Sequence, residues 1–227
     1  MFEKFKELFA SENLLDDAFK TTLTMLEFDR EMYEASKMTL RESNTAELPF
    51  DIKQTDRKIN KYEREVRRKV LTHLTVSGIH NLIPGLALVS IVIDVERIGD
   101  YTKNIYELAT QHKQMLKAGK YEGTLLEIEK VIEDIFPKVI DVLQSQDKPT
   151  ARSVMQVEES TALKCKLIEG AMIEGKDPDL STASSVSLAL YVRYLKRIDA
   201  HLTNIASSIV NPFARIGFRE KLGPDEY

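Results

Sequence analysis

Six stretches of this chain carry apolar residues at helical spacing, and helix-breaking residues recur at intervals that set them apart. The breakers are Pro49, a cluster from Gly78 to Gly85 that includes Pro84, the pair Gly119 and Gly123, then Pro149, Gly175 with Pro178, and Pro212. The first stretch, 14–41, sets Phe19, Leu26, Tyr33 and Leu40 seven residues apart, with Ala18, Met25 and Met32 beside them. Such a stripe faces one partner surface for about four heptads. The second, 50–74, shows Ile59, Tyr62, Val66, Val70 and Leu74. The third runs from 81 to 117, with Asn81 as its expected N-cap and Pro84 tolerated in the first turn.

The fourth stretch, 122–144, repeats the pattern with Leu125, Ile128, Ile132, Ile135, Val139 and Val142. Pro137 lies inside it and is expected to kink the helix or force a local rearrangement, because it removes a donor and crowds the preceding turn. The fifth starts at Pro149 and ends near Gly175; the sixth runs from 180 to 210, and the residues after Phe218 read as a polar tail. No segment alternates apolar and polar residues for long enough to be a strand. Long helices joined by short loops pack antiparallel, so an all-α bundle is expected. Glu, Lys, Leu, Ala and Met are plentiful and there is no tryptophan, which agrees with helices.

Charge and cysteine content narrow the function classes. A net charge of -4 and an isoelectric point near 5.7 supply no basic stripe for a phosphate backbone, so no nucleic acid is expected as partner. The single cysteine, Cys165, excludes an internal disulfide framework and fits a reducing cytoplasm; its helical apolar setting reads as an inert small residue. The start, Met1 to Lys6, carries acid where a signal peptide wants apolar residues. The longest apolar run, 82–93, is too short to cross a bilayer, which takes about 20 residues. A soluble, cytoplasmic protein without membrane insertion is the expectation.

The third and sixth stretches match at an offset of 100 residues. Glu96-Arg97-Ile98-Gly99-Asp100-Tyr101-Thr102-Lys103-Asn104-Ile105 lies over Lys196-Arg197-Ile198-Asp199-Ala200-His201-Leu202-Thr203-Asn204-Ile205, and Leu88 and Val92 recur as Leu188 and Val192. The same number of helices precedes each copy, which points to a duplicated three-helix unit. The halves are taken as 1–118 and 119–227.

The string Glu96-Arg97-Ile98-Gly99-Asp100, followed by Asn104-Ile105, resembles the hallmark of the PhoU family of phosphate-signalling proteins, and Asp56 to Glu63 resembles the family's element on the preceding helix. The resemblance spans nearly the whole chain as two tandem three-helix repeats in an elongated six-helix bundle, the second copy degenerate. It implies a regulatory adaptor that restrains phosphate uptake and represses the phosphate-starvation response. The partners it implies are a membrane phosphate transporter, a sensor kinase, or both, with a homodimer or higher assembly. PhoU-like domains also accompany sodium–phosphate symporters and potassium channels or transporters, which is the alternative reading.

Glu96 and Asp100 project from one helix face a turn apart, and Asn104 continues that line; Asp56 and Asn60 do the same on the second helix, with Glu63 nearly one turn further. Facing rows of oxygen ligands suit hard or borderline cations. The family resemblance implies metal ions, including multinuclear iron or zinc clusters, so Asp56, Asn60, Glu63, Glu96 and Asp100 are the candidate metal ligands. Against this, such acids also pair with arginines, and Arg57, Arg64, Arg67, Arg68 and Arg97 are near in sequence; Asn60 also stands where the family pattern has an acid. In the second repeat Lys196 and Ala200 replace Glu96 and Asp100, so that half is expected to be metal-free; Glu158 and Glu159 have no assigned alignment, and His201 reads as a hydrogen-bonded structural residue.

An enzyme is not expected. Di-iron bundles need Glu-x-x-His pairs, and the residues three before the four histidines are Val70, Ser77, Ala109 and Ile198. Gly-rich phosphate loops, a Gly-x-Ser-x-Gly elbow and zinc-spaced Cys/His clusters are also missing from the sequence. A metal-dependent enzyme or metal store is the third reading.

Overall fold

The computed structural model describes residues 14–221 apart from 46, 49 and 113, and gives the backbone but not the side chains of 79 and 80. The readings at Met1–Lys6, at Pro49 and beyond Lys221 lie outside the described residues. Among the described residues there are six long helices and no strand: α1 (Leu14–Glu42), α2 (Ile52–Ser77), α3 (Leu82–Gln111), α4 (Glu122–Ser145), α5 (Lys148–Ile173) and α6 (Thr182–Val210). Short 3-10 turns at Gly78–Asn81, Gly119–Tyr121 and Phe213–Arg215 complete them.

The helices start where side chains can satisfy their first amides. Asp51 accepts from the amides of Lys53 and Gln54, Asp147 from that of Thr150, and Ser181 from that of Ser184. Asn81 stands at the N-cap of α3 as expected, but its side chain makes no capping bond, and its amide nitrogen lies 2.9 Å from His73 Nε2 on α2. The 3-10 turn leads directly into α3 and leaves Asn81 at φ -111° and ψ 21°, outside the extended backbone that the capping residues Asp51, Asp147 and Ser181 share. Helix α4 runs from Glu122 to Ser145 with Pro137 inside it. The α4–α5 link is two residues long, and Gln146 turns it with a left-handed φ of 58°.

The apolar stripes meet in one core. Met25, Leu26, Met32, Tyr33 and Leu40 of α1, Ile59, Val66 and Val70 of α2, and Ile128, Ile132, Ile135 and Val139 of α4 are all buried in it. Helices α3 and α6 form the centre: each packs against the other two helices of its half and also against the other. Contacts across that central seam include Tyr101 against Tyr194 and His201, and Asp94 accepting from Asn204 at 3.0 Å beside His201 Nδ1 at 2.7 Å. A second link crosses the halves away from this seam. Buried Arg41 of α1 donates to Glu129 of α4 at 2.8 Å, to Glu122, and to the carbonyl of Leu116. Tyr191 of α6 donates to the same Glu129 oxygen at 2.8 Å.

Candidate functional site

Burial gives the register between the halves residue by residue. On α1 and α4 the buried Thr22, Met25, Leu26, Met32, Tyr33 and Leu40 recur 103 residues later as Leu125, Ile128, Glu129, Ile135, Phe136 and Leu143. On α2 and α5 the buried Ile52, Ile59, Val66 and Val70 recur 102 residues later as Val154, Thr161, Ile168 and Met172. On α3 and α6 the offset is 100, with Leu88, Val92, Ile98 and Ile105 over Leu188, Val192, Ile198 and Ile205. Each helix therefore presents the same face to its own half.

In the first half, the candidate residues come to one side of the α2–α3 contact, and most of them already face a cation. Lys103 reaches between the helices and donates to Asp56 Oδ1 at 2.9 Å and to Asp100 Oδ1 at 3.0 Å. Glu63 pairs with Arg67 at 2.6 Å. Glu96 and Asp100 lie 3.7 and 3.6 Å from the Arg97 guanidinium. Asn60 donates its amide to the backbone carbonyl of Asp56 at 3.0 Å, closing a turn of α2. Burial would lower the Lys103 ammonium, but its bonds to Asp56 and Asp100, and their charge, outweigh that and raise it. Glu96 is held above the usual carboxylate range, first by burial and then by Asp100, with Arg97 opposing and Glu63 and Asp56 adding to the rise.

A further acid lies beneath this cluster, on α1. Asp29 is fully buried, and neither oxygen has a hydrogen-bond partner among the described residues. Burial pushes its carboxyl well above the ordinary value, and the charges of Glu96, Asp56 and Asp100 push the same way. Its Oδ1 sits 2.9 Å from where a β-carbon on Gly99 would stand, so the glycine of the Glu96–Asp100 string is the space this carboxyl uses. Asp29 was legible as an anomaly, since Thr22, Asp29 and Ser36 put polar groups seven apart on the buried face of α1. Lys103 was legible too, three residues after Asp100 on the same face of α3.

These residues do not fit a resident metal centre. Among the described residues no three metal-ligating side chains gather closely enough to hold an ion. The position shared by Asp56 and Asp100 is taken by the Lys103 ammonium, Glu63 is committed to Arg67, and Asn60 is turned to its own backbone. Most of the cluster's charge is balanced by the chain's own Lys103, Arg67 and Arg97.

The second half keeps the frame with different chemistry. Ile132 takes the place of Asp29 and Asp199 that of Gly99, so the buried carboxyl has crossed from the first helix of the half to the third. Asp199 is 1% exposed and both of its oxygens lack a partner among the described residues. Burial, and then Glu158, push it up to about 7. The register assigns Glu158 to the place of Asp56, with Lys196, Ala200 and Thr203 over Glu96, Asp100 and Lys103. His201 is held against Asp94 and Tyr101 at the seam, in keeping with the structural role read for it. Cys165 is buried, and burial pushes its thiol up to about 12, with Asp199 adding to the rise, so it stays protonated at neutral pH.

Comparisons with known proteins agree with this duplicated frame. The chain is 27% identical over 197 residues to an uncharacterized protein of Methanocaldococcus jannaschii; the match takes in 86% of this chain and 65% of that relative. A crystal structure of PhoU from Pseudomonas aeruginosa superposes with a TM-score of 0.79 at 20% identity, covering 88% of this chain and 96% of that one. The phosphate transport system regulatory protein PhoU from Streptococcus pneumoniae superposes with a TM-score of 0.76 at 17% identity, covering 88% and 95%. The family model for the PhoU domain matches twice, over residues 22–109 and 125–209, and these spans take in most of all six helices. The chain belongs to the PhoU domain family.

Proposed function

We propose that this protein is a regulatory adaptor of phosphate uptake and phosphate-starvation signalling that acts by binding other proteins. The observation that carries the reading is the double PhoU match over a bundle whose two halves share one core. Its partners are a membrane phosphate transporter, a sensor kinase, or both, and it works in the cytoplasm as a homodimer. Among the described residues no helix is long and apolar enough to cross a membrane, so contact with a transporter is made from the bundle's surface. Leu163 and Leu167 lie one turn apart on α5 and are more than half exposed, the kind of apolar pair that a partner covers.

In this reading Asp56, Asn60, Glu63, Glu96 and Asp100 form a partly buried cluster closed internally by Lys103, Arg67 and Arg97, and protein contact is the output. Deleting the gene should derepress alkaline phosphatase and raise phosphate uptake in phosphate-replete cells. Unchanged uptake and unchanged phosphatase would remove the phosphate role. A second reading, an accessory subunit of a sodium–phosphate symporter or a potassium system, draws on the departure of Lys196, Asp199 and Ala200 from the first repeat. Affinity capture from detergent-solubilised membranes, with the captured transporter identified, separates the two.

A further inference from the structure

The second half holds a cavity of about 400 Å³ between α5 and α6, in the size range of small-molecule sites. Arg152, Met155, Glu158, Ala200, Thr203 and Asn204 wall it, and residues 217–220 roof it. The roof is tied down at several points. Arg152 donates to both carboxylate oxygens of Glu220 at 2.6 and 2.7 Å, and Arg219 pairs with Glu159 at 3.1 Å. The Gly217 amide donates to Ser207 Oγ at 2.7 Å, and Asn211 donates to the Phe218 carbonyl at 2.6 Å.

The register explains why a cavity stands here. In the first half the same place is filled by Lys103, with its ammonium between Asp56 and Asp100. Thr203 and Ala200 replace Lys103 and Asp100, which takes away a four-carbon stem, an ammonium and one carboxylate. The other carboxylate is kept, as Glu158 in the place of Asp56. Glu158 has no ion pair among the described residues, and Thr203 Oγ1 is buried there without a hydrogen-bond partner. The two arginines of the wall and roof are already paired, so the charge left over in the cavity is that of one carboxylate.

We propose that this cavity binds a primary ammonium group, which takes the position that Lys103 occupies in the first half. Glu158 accepts the charge-assisted hydrogen bond, Thr203 Oγ1 accepts a second, and Met155, Ala200 and the Phe218 ring pack the alkyl stem. A lone carboxylate with a hydroxyl is a poor set for a divalent cation, which takes six or more oxygens and favours several carboxylates. An anion would meet arginines already committed to Glu220 and Glu159. The ammonium can come from a free alkylamine or from a lysine side chain of another chain.

Calorimetric titration of the full chain with 1,4-diaminobutane, and separately with N-α-acetyl-lysine methylamide, tests this. Saturable binding of one equivalent is expected, weakened at least tenfold by Glu158→Gln and by Thr203→Lys. Thr203→Lys supplies the internal ammonium seen in the first half, so its melting temperature should be no lower than that of the parent. Tighter binding of the diamine assigns the site to a free amine, and tighter binding of the lysine derivative assigns it to another chain's lysine. No saturable binding of either probe overturns the proposal, as does amine binding that Thr203→Lys leaves unchanged. So does saturable manganese binding, lost in Glu158→Gln, from a protein that ignores both amines.

Discussion

Asp199 and Lys103 show how the two halves meet the same electrostatic problem by different means. Asp199 is buried with no cation against it, so it keeps its proton up to about pH 7 where an ordinary aspartate loses it near 3.8. The sign follows from linkage. Below pH 4 the carboxyl is neutral in both states and costs nothing; as pH rises to 7 the unfolded chain ionises it while the fold cannot, so stability falls, and above 7 the loss is constant. Glu158 adds to this rise, and neighbouring Cys165 stays protonated throughout. Asp199→Asn should therefore gain stability relative to the parent by about 3 kcal/mol between pH 5 and pH 8. Urea unfolding at the two pH values reads this difference, and a difference that does not change with pH would show that Asp199 is ionised in the fold. Lys103 is the opposite case, an ammonium that pays for its partial burial with two carboxylates. Lys103→Met should lower stability at pH 7 by about 1 kcal/mol, because the site is partly solvent-screened. It should also leave Asp56 and Asp100 open to a metal, so that manganese raises the melting temperature of the variant and leaves that of the parent unmoved. An equal response in both proteins would mean that Lys103 does not hold the cation position.

At the scale of elements, the helices were legible because burial of a helix is written locally. The stripe of Leu26, Tyr33 and Leu40, and the run from Leu125 to Val142, are each buried along one face. The starts of α2 to α6 fall close to breakers, whereas α1 stops at Glu42, well before Pro49, and α3 at Gln111, short of the expected 117 and well before Gly119. What lay between helices was less legible. The spacing of Glu96 and Asp100 places two acids on one face, but it does not say whether a metal, a solvent layer or the lysine one turn on will face them. Asn60 carried a ligand-like spacing and instead closes a turn of its own helix. A cavity is harder still, since Ala200 and Thr203 are unremarkable in sequence and matter only because Asp100 and Lys103 fill the same place in the other half. The Arg41 cluster is likewise a long-range product, joining α1 to Glu122 and Glu129 of α4 and to the α3–α4 link at Leu116. Arg41 and Glu129 side chains are 5% and 4% exposed, so removing one strands the other. Arg41→Ala should cost about 3 kcal/mol in urea unfolding, and Arg41→Met with Glu129→Leu should recover part of it. A loss below about 1 kcal/mol for Arg41→Ala would reduce the cluster to a surface pair.

At the scale of the molecule, duplication has produced two halves that share a frame and divide the chemistry, with one closing its acids on Lys103 and the other opening a cavity at the same place. The division does not separate them mechanically. Helices α3 and α6 pack against each other through Tyr101, Tyr194 and His201, Asp94 accepts from Asn204 across that seam, and the buried apolar residues of all six helices belong to one cluster. Unfolding one half would strip Tyr101 from Tyr194 and His201 at that seam and break the Arg41 cluster as well. A half left alone would therefore lose more than its own share of burial, and the two should unfold together. The chain has no tryptophan, so one introduced at Phe28 in the first half and, in a second variant, one at Phe213 after α6 report each half separately. Both probes should give the same urea midpoint as the far-ultraviolet helix signal, with one slope. Arg41→Ala should move both probes by the same amount although Arg41 sits on α1. Midpoints that separate, or a shift confined to the Phe28 probe, would show that the halves fold as independent repeats and that the seam between α3 and α6 contributes little to either.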